Sequence, residues 1–424
     1  MSTPLLLGLL LAAAQPLPAE APRADLRDDP ALLELVRESL AQRPELRAAE
    51  AQARAERERI PQAGALPDPI LSLGIQNDGF SGIQVGKMET SFWQVMLTQP
   101  LPWPGKRGLR ADVAAEGARL AERGADRARL SAEADVRRAW LELLLARDRL
   151  ALLGRLEALW VKAEGLARVR YQAGEGSQAD LLRAQLEQTR LRQRRWALEA
   201  DDRTRLQALN RLRGRPLDEP LPTVRAVADL GLPAVPAAQE ALEEAERRSP
   251  ELQRARLEVA RAGRQGDLAR RDRWPDLALT AAIMPRGGLE PMWSAGVSVT
   301  LPVFSSARQS RAVAESDARA AASASAEEAV RQVLRQRVQE RLALQGSLVR
   351  TAALYREGLL VQTQAAAEST LAQYRAGRVT FASVLEALGG VVADEDGHLQ
   401  AVAAAWRVAI AADEVSLEPA GAAA

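Results

Sequence analysis

The chain has 424 residues, with 57 Lys plus Arg against 56 Asp plus Glu, a net charge of +1, one His and no Cys. Near-neutrality removes the electrostatic case for nucleic acid as a partner, and the absence of Cys removes disulfides, thiolate metal sites, thiol catalysis and a lipidated Cys behind a signal. Only 4% aromatic but 27% charged, and rich in Ala and Leu, the composition suits long helices better than a catalytic pocket. It predicts no enzyme, no cofactor and no resident metal.

Residues 5–14 form an apolar run of signal-peptide length, too short to span a bilayer as a helix. Ala12 and Ala14, or Ala19 and Ala21, supply the small residues of a cleavage site, so a signal peptide is predicted over 1–21. No later segment approaches the ~18 consecutive apolar residues of a membrane helix. A membrane span, if there is one, must be made of strands.

Proline divides the rest. It is absent from 105–215 and again from 303–418, two stretches rich in helix formers. A helix from Pro104 to about Tyr171 is predicted to be on the order of 100 Å long. Leu141, Leu145, Leu152, Leu156 and Leu159, then Val330, Leu334, Val338 and Leu342, follow helical spacing, and such stripes need partner helices. Pro216, Pro220, Pro222, Pro233 and Pro236 mark a linker at 214–238 of extended or turn structure. Units at 29–213 and 239–412 flank it, and a flexible tail is expected over 413–424.

The two units repeat one another. Pro44-Glu45-Leu46 returns as Pro250-Glu251-Leu252, an offset of 206; Pro67-Asp68 returns as Pro275-Asp276, an offset of 208. Thr98-x-Pro100 returns as Thr300-x-Pro302 at 202, and Tyr171-x-Ala-Gly174 as Tyr374-x-Ala-Gly377 at 203. Four anchors in one order at nearly one spacing mark a duplication.

Each unit carries a pair of strands about ten residues long. Leu71, Leu73 and Ile75, then Trp93, Val95 and Leu97, alternate with small or polar residues, as do Leu277, Leu279, Ala281 and Ile283, and Trp293, Ala295, Val297 and Val299. Gly-containing loops at 77–88 and 285–291 join them. The second face is Ser, Gly, Thr and Ala rather than charged, which suits a water-filled barrel better than a soluble hairpin. Phe92, Trp93, Trp103, Trp293 and Phe304, with Trp274, lie at or near strand ends, where an aromatic girdle sits at the membrane interface. Four strands cannot close a barrel, since small ones need about eight, so several copies must pool their strands.

With this duplicated helix–hairpin–helix plan, the sequence resembles the TolC family of outer-membrane channels, from about Asp29 to Ile410. The likeness rests on the paired Pro-Glu-Leu motifs, on Leu66-Pro67-Asp68-Pro69 ahead of the first strand, and on 99–107, Gln-Pro-Leu-Pro-Trp-Pro-Gly-Lys-Arg, leading into the long helix. The last two look most like members associated with heavy-metal resistance pumps. The resemblance implies a mainly α fold with a membrane β-barrel portion: a homotrimer whose twelve strands stand in outer-membrane lipid above a periplasmic α-helical tube. It also implies a duct for drugs, proteins or metal cations, fed by a periplasmic adaptor and an inner-membrane pump of the resistance-nodulation-division type. A type I secretion duct and a periplasmic coiled-coil adaptor are the alternatives.

Gly174 and Gly176 in one unit, and Gly377 in the other, end the long helices where turns need φ > 0; in the family these turns are the periplasmic tips. The resemblance places an acidic gate residue at Asp180 and a gate tyrosine at Tyr374, near enough to share a hydrogen bond. The family's basic gate position falls on Val379, with Arg378 one residue early. Of its two lumenal carboxylate positions, Ser383 and Glu386, only Glu386 keeps the acid. His398 stands in a charged helical stretch with no catalytic partner pattern. One His, no Cys and five Met argue against a soft-metal relay in the tube, although a passive duct needs none.

Overall fold

The computed structural model describes residues 25–419; the signal expected at 1–21 and the last residues of the expected tail lie outside them. Each half begins with two short helices, α1 (Pro30–Gln42) and α2 (Pro44–Gly64), then α5 (Ala238–Arg248) and α6 (Pro250–Arg271). Pro30, Pro44 and Pro250 occupy first helical positions, where the missing N–H costs nothing and the fixed φ suits the helix. Asp29 caps α1 by accepting from Ala31 N, and its other oxygen accepts from the Trp140 indole at 3.0 Å. That one carboxylate joins the short helices to the tube.

The strands β1 (Ile70–Gln76), β2 (Phe92–Leu101), β3 (Leu277–Arg286) and β4 (Leu289–Val299) form one antiparallel sheet in the order β1-β2-β3-β4. β1 is shorter than expected, at 7 residues. The β3–β4 turn is also tighter than the loop read from the sequence, closing on Gly287 and Gly288 alone, with Gly287 at φ 67°. The register places Leu71, Leu73, Ile75, Trp93, Val95, Leu97, Leu279, Ile283, Trp293, Val297 and Val299 on one face. Ser72, Gly74, Gln94, Thr98, Thr280, Ser294 and Gly296 fall on the other.

From the sheet run the long helices. α3 (Lys106–Gln172) is 67 residues, as its proline-free sequence predicts, and α4 (Gln178–Arg213) returns alongside it. In the second half α7 (Gln309–Leu354), a π-helical turn (Tyr355–Leu359) and α8 (Leu360–Arg375) run on without a break, in segments of 46, 5 and 16 residues, which together equal α3 in length. α9 (Phe381–Asp413) returns. The π turn lies against Gly397 of α9, where an added Cβ would stand 2.6 Å from the Tyr355 hydroxyl.

The main core sits where the short helices cross the long ones. Leu26, Leu32, Trp140, Leu141, Leu144, Leu209, Leu230, Trp406 and Ile410 are all buried there, each large apolar side chain stabilising by roughly 1.5–3 kcal/mol. The 214–238 segment is a strap on this core. Val227 and Leu230 are buried, Asp148 accepts from Val227 N at 2.6 Å, and the Trp406 indole donates to Gly231 O at 2.9 Å. Burial, followed by the Val227 and Ala228 N–H groups acting the other way, leaves the Asp148 carboxyl above the ordinary aspartate value.

The segment after α9 differs from the flexible tail expected there. Glu414, Val415 and Ser416 are buried, Glu414 accepts from Arg127 and Arg138 at 2.6 Å each, and Arg341 donates to Ser416 O and Glu418 O. Those arginines lie far back in the chain, so local composition does not reveal the pinning.

Candidate channel tip and membrane-facing sheet

At the far end of the tube, α3 and α4 are joined through residues 173–177, and α8 and α9 through 376–380. Gly174 and Gly377 take φ of 75° and 70°, as expected of glycines that end helices. Gly176 serves differently from the expectation: its φ is not positive. A Cβ there would stand 3.0 Å from Tyr171 N and 3.1 Å from Arg170 C, so close backbone approach favours the glycine. Ser177 and Thr380 cap the returning helices by accepting from Asp180 N and Ser383 N.

Tyr374 and Phe381 are buried, with ring centroids 5.5 Å apart, over a cluster that includes Trp160, Ala167, Ala184 and Val384. Asp180 lies near enough to act on the Tyr374 phenol electrostatically. Burial, then Asp180, push the phenol above its ordinary value, against the opposing pull of Arg170. The hydrogen bond expected between them is not made within one chain: the Asp180 carboxylate pairs with Arg183 at 3.8 Å. Arg378 is exposed at the turn, and Glu386 lies on the wall of a 680 Å³ hollow between α3, α4 and α9, opposite Glu187 and Arg194.

Sequence reasoning missed Arg170. Its Nη1 donates to Tyr374 O at 2.7 Å, its guanidinium stands 4.9 Å over the Tyr374 ring, and its Nη2 donates to Glu175 O at 3.4 Å. One side chain thus ties the first hairpin's turn to the last turn of α8. The signal was present: the offset of 203 pairs Arg170 with Gln373, so the two tips differ at the position that bridges them.

At the other end, the apolar sheet face lies open: Leu73 is 74% exposed, Trp293 77% and Val297 65%. Contiguous exposed apolar patches are rare on soluble monomers and mark contacts with protein or membrane. Trp93 and Trp293 share this face near its outer end. Trp103 stacks on Trp274 at 5.2 Å, and Phe304 is exposed, where the strands meet the helices. Along β2, ten residues at ~3.3 Å separate the two levels, which with strand tilt matches an apolar band of about 25 Å. Phe92 is the exception. Paired with Gln76, it falls on the opposite face, because one step along a strand reverses the side chain. At the foot, Lys106 is buried and donates to Asp276 at 2.9 Å, and Asp276 also accepts from Trp103 N. No helix among the described residues is long and apolar enough to cross a membrane.

The sequence pattern of the outer membrane efflux protein family matches residues 35–215 and 241–412. The chain belongs to that family. The two matched segments are the two halves of the duplication, and they leave the strap between them. No curated protein matches the chain. Among solved structures, the outer-membrane channel OprN superposes with a TM-score of 0.77 at 21% identity, over 95% of both chains. CusC does so at 0.77 and 18%, over 93% of both. The open-state MtrE channel of Neisseria gonorrhoeae gives 0.76 at 20%, over 91% of this chain and 89% of its own. The fold is that of outer-membrane efflux channels.

Proposed function

We propose that the chain is the outer-membrane duct of a tripartite efflux assembly and works as a homotrimer. The observation that carries this is the sheet: an apolar face exposed on all four strands, with β1 and β4 left as open edges. Lipid covers the face, and pairing β1 of one copy with β4 of the next removes the edges. Three copies give the twelve strands that four cannot replace. Exposed apolar residues along the tube, among them Val161, Leu182, Trp196 and Val361, supply the helix contacts between copies. The turns at 173–177 and 376–380 then form the periplasmic rim. There a periplasmic adaptor docks and passes substrate from an inner-membrane pump of the resistance-nodulation-division type.

Asp180, Tyr374, Arg378 and Glu386 serve this reading as the gate, the Asp180–Tyr374 bond forming between neighbouring hairpins of the closed rim. The test is fractionation and mass measurement of the purified protein. The expected result is detergent-extractable protein from outer membranes, three copies per particle, and ion conductance in planar bilayers. A soluble monomer, or a monomer that conducts, contradicts the reading.

A further inference from the structure

Four of the five methionines fall among the described residues, and none of them lies in a helix. Met88 is in the β1–β2 loop, and Met96, Met284 and Met292 are in β2, β3 and β4. The register brings the last three together. Met284 and Met292 are direct cross-strand partners. Met96 pairs with Ala282, two residues from Met284, and so stands diagonal to it. Direct partners have Cβ atoms ~5 Å apart and diagonal ones ~7–8 Å, distances that flexible thioether side chains bridge.

All three lie half-buried on the small, polar face, the one that looks into water if the sheet closes a barrel. Hydrophobicity alone does not account for this placement. The lipid face takes Leu, Ile, Val, Ala and Trp, with Gln99 at its foot, and carries no methionine. On the inner face, neighbours such as Ala282, Ser294 and Gly296 are too small to cover a thioether. The nearest charges, Arg286 and Glu290, are opposite in sign, and Arg286 is engaged with Glu290 O. Among the described residues no group of three His, Cys, Asp or Glu is placed to hold a metal, so a cation retained here would be held by sulfur. Neutral thioethers favour soft monovalent cations such as Cu(I) and Ag(I) over Mg²⁺, Ca²⁺ and Zn²⁺.

We infer that Met96, Met284 and Met292 form a binding site for soft monovalent cations on the inner wall of the barrel. The inference rests on the channel reading above. Uncharged ligands in an open lumen bind weakly and release quickly, as a conduit requires. The helical tube, which holds no described methionine, offers no such site, so the sequence argument against a relay stands for the tube and not for the barrel.

The test uses Ag(I), which needs no reductant, titrated calorimetrically into the purified trimer in chloride-free buffer. Saturable binding near one ion per chain is expected, unaffected by excess Zn²⁺. Met96→Leu/Met284→Leu/Met292→Leu, which nearly conserves volume, should weaken it at least tenfold, while Met88→Leu should not. Wild-type protein without saturable binding, or a triple variant that binds equally well, overturns the site. Bilayer conductance of the same samples keeps the two readings apart: conducting trimers without Ag(I) binding sink this inference alone, whereas absence of conducting trimers sinks the duct.

Discussion

At the scale of single residues, the tip holds itself through Arg170 more than through the pair the sequence singles out. Arg170 makes its contacts with the Tyr374 backbone and ring face, neither of which depends on the phenol oxygen. Tyr374→Phe therefore keeps the Arg170 contacts and removes only the phenol oxygen, and with it the bond to Asp180 proposed between hairpins. Arg170→Ala removes a charge-assisted hydrogen bond and a cation–π contact, together about 2–3 kcal/mol. Single-channel recording separates the two. Arg170→Ala should raise conductance or open probability in the wild-type background. Asp180→Ala with Tyr374→Phe should do so only if the bond forms between subunits. Glu386→Gln should mainly lower cation preference, because carboxylates at a constriction concentrate cations. An unchanged Arg170→Ala channel would return the gate to Arg378 and its neighbours. Gly174 and Gly377 were legible because ending a helix is a local matter. Gly176 and Arg170 act across a turn: the repeat shows that Arg170 has Gln373 as its counterpart, but not what it touches.

At the scale of elements, strands, helices and their duplication were legible because alternation, proline placement and glycine turns are local rules. The π turn was not. It inserts no proline or glycine pair of its own apart from Gly358, and it exists where the Tyr355 side chain seats against Gly397. A Cβ at 397 would meet the hydroxyl at 2.6 Å and the ring at 2.9 Å, so the Tyr355 ring or α9 must give way. Gly397→Ala is expected to destabilise the tube by about 1–3 kcal/mol, read as a lowered Tm by circular dichroism in detergent. Adding Tyr355→Leu should recover most of the loss. Failure of the second change to rescue would show that the glycine serves something other than this contact.

For the whole molecule, the sequence shows two halves but not what locks them. The locks are long-range arginine–carboxylate pairs, and composition balances the charges without matching them. Glu38 of α1 accepts from Arg213 Nε at 2.6 Å and from Arg215 at 2.9 Å, fastening α1 to the end of α4. The Arg213 hydrogen bond above all, with Arg215, holds the Glu38 carboxyl below its ordinary range. Stabilisation from this pair is complete above about pH 4.3, where the unfolded carboxylate is already ionised. It is lost as the pH falls through the lowered native value. Glu38→Gln leaves the buried Arg213 short of a partner. It should lower Tm at pH 7 by an amount reflecting about 1–3 kcal/mol, with the gap to wild type closing as the pH falls through the lowered native value. A constant gap across that range would assign the effect to packing.

Arg27, just ahead of α1, donates to Asp413, the last residue of α9, at 2.9 and 3.0 Å. The beginning and end of the described chain therefore meet in space, and the order of the two halves along the polypeptide is not fixed by the geometry. Joining residue 419 to residue 25 by a few flexible residues and opening the chain beside Val224, 97% exposed in the strap, would give a circular permutant. Its second half would be made first, and the buried part of the strap would stay attached to it. Such permutants are tolerated where ends lie close and the cut is exposed. Behind a cleavable export signal, the permutant should still assemble into conducting particles, since every strand keeps its neighbour.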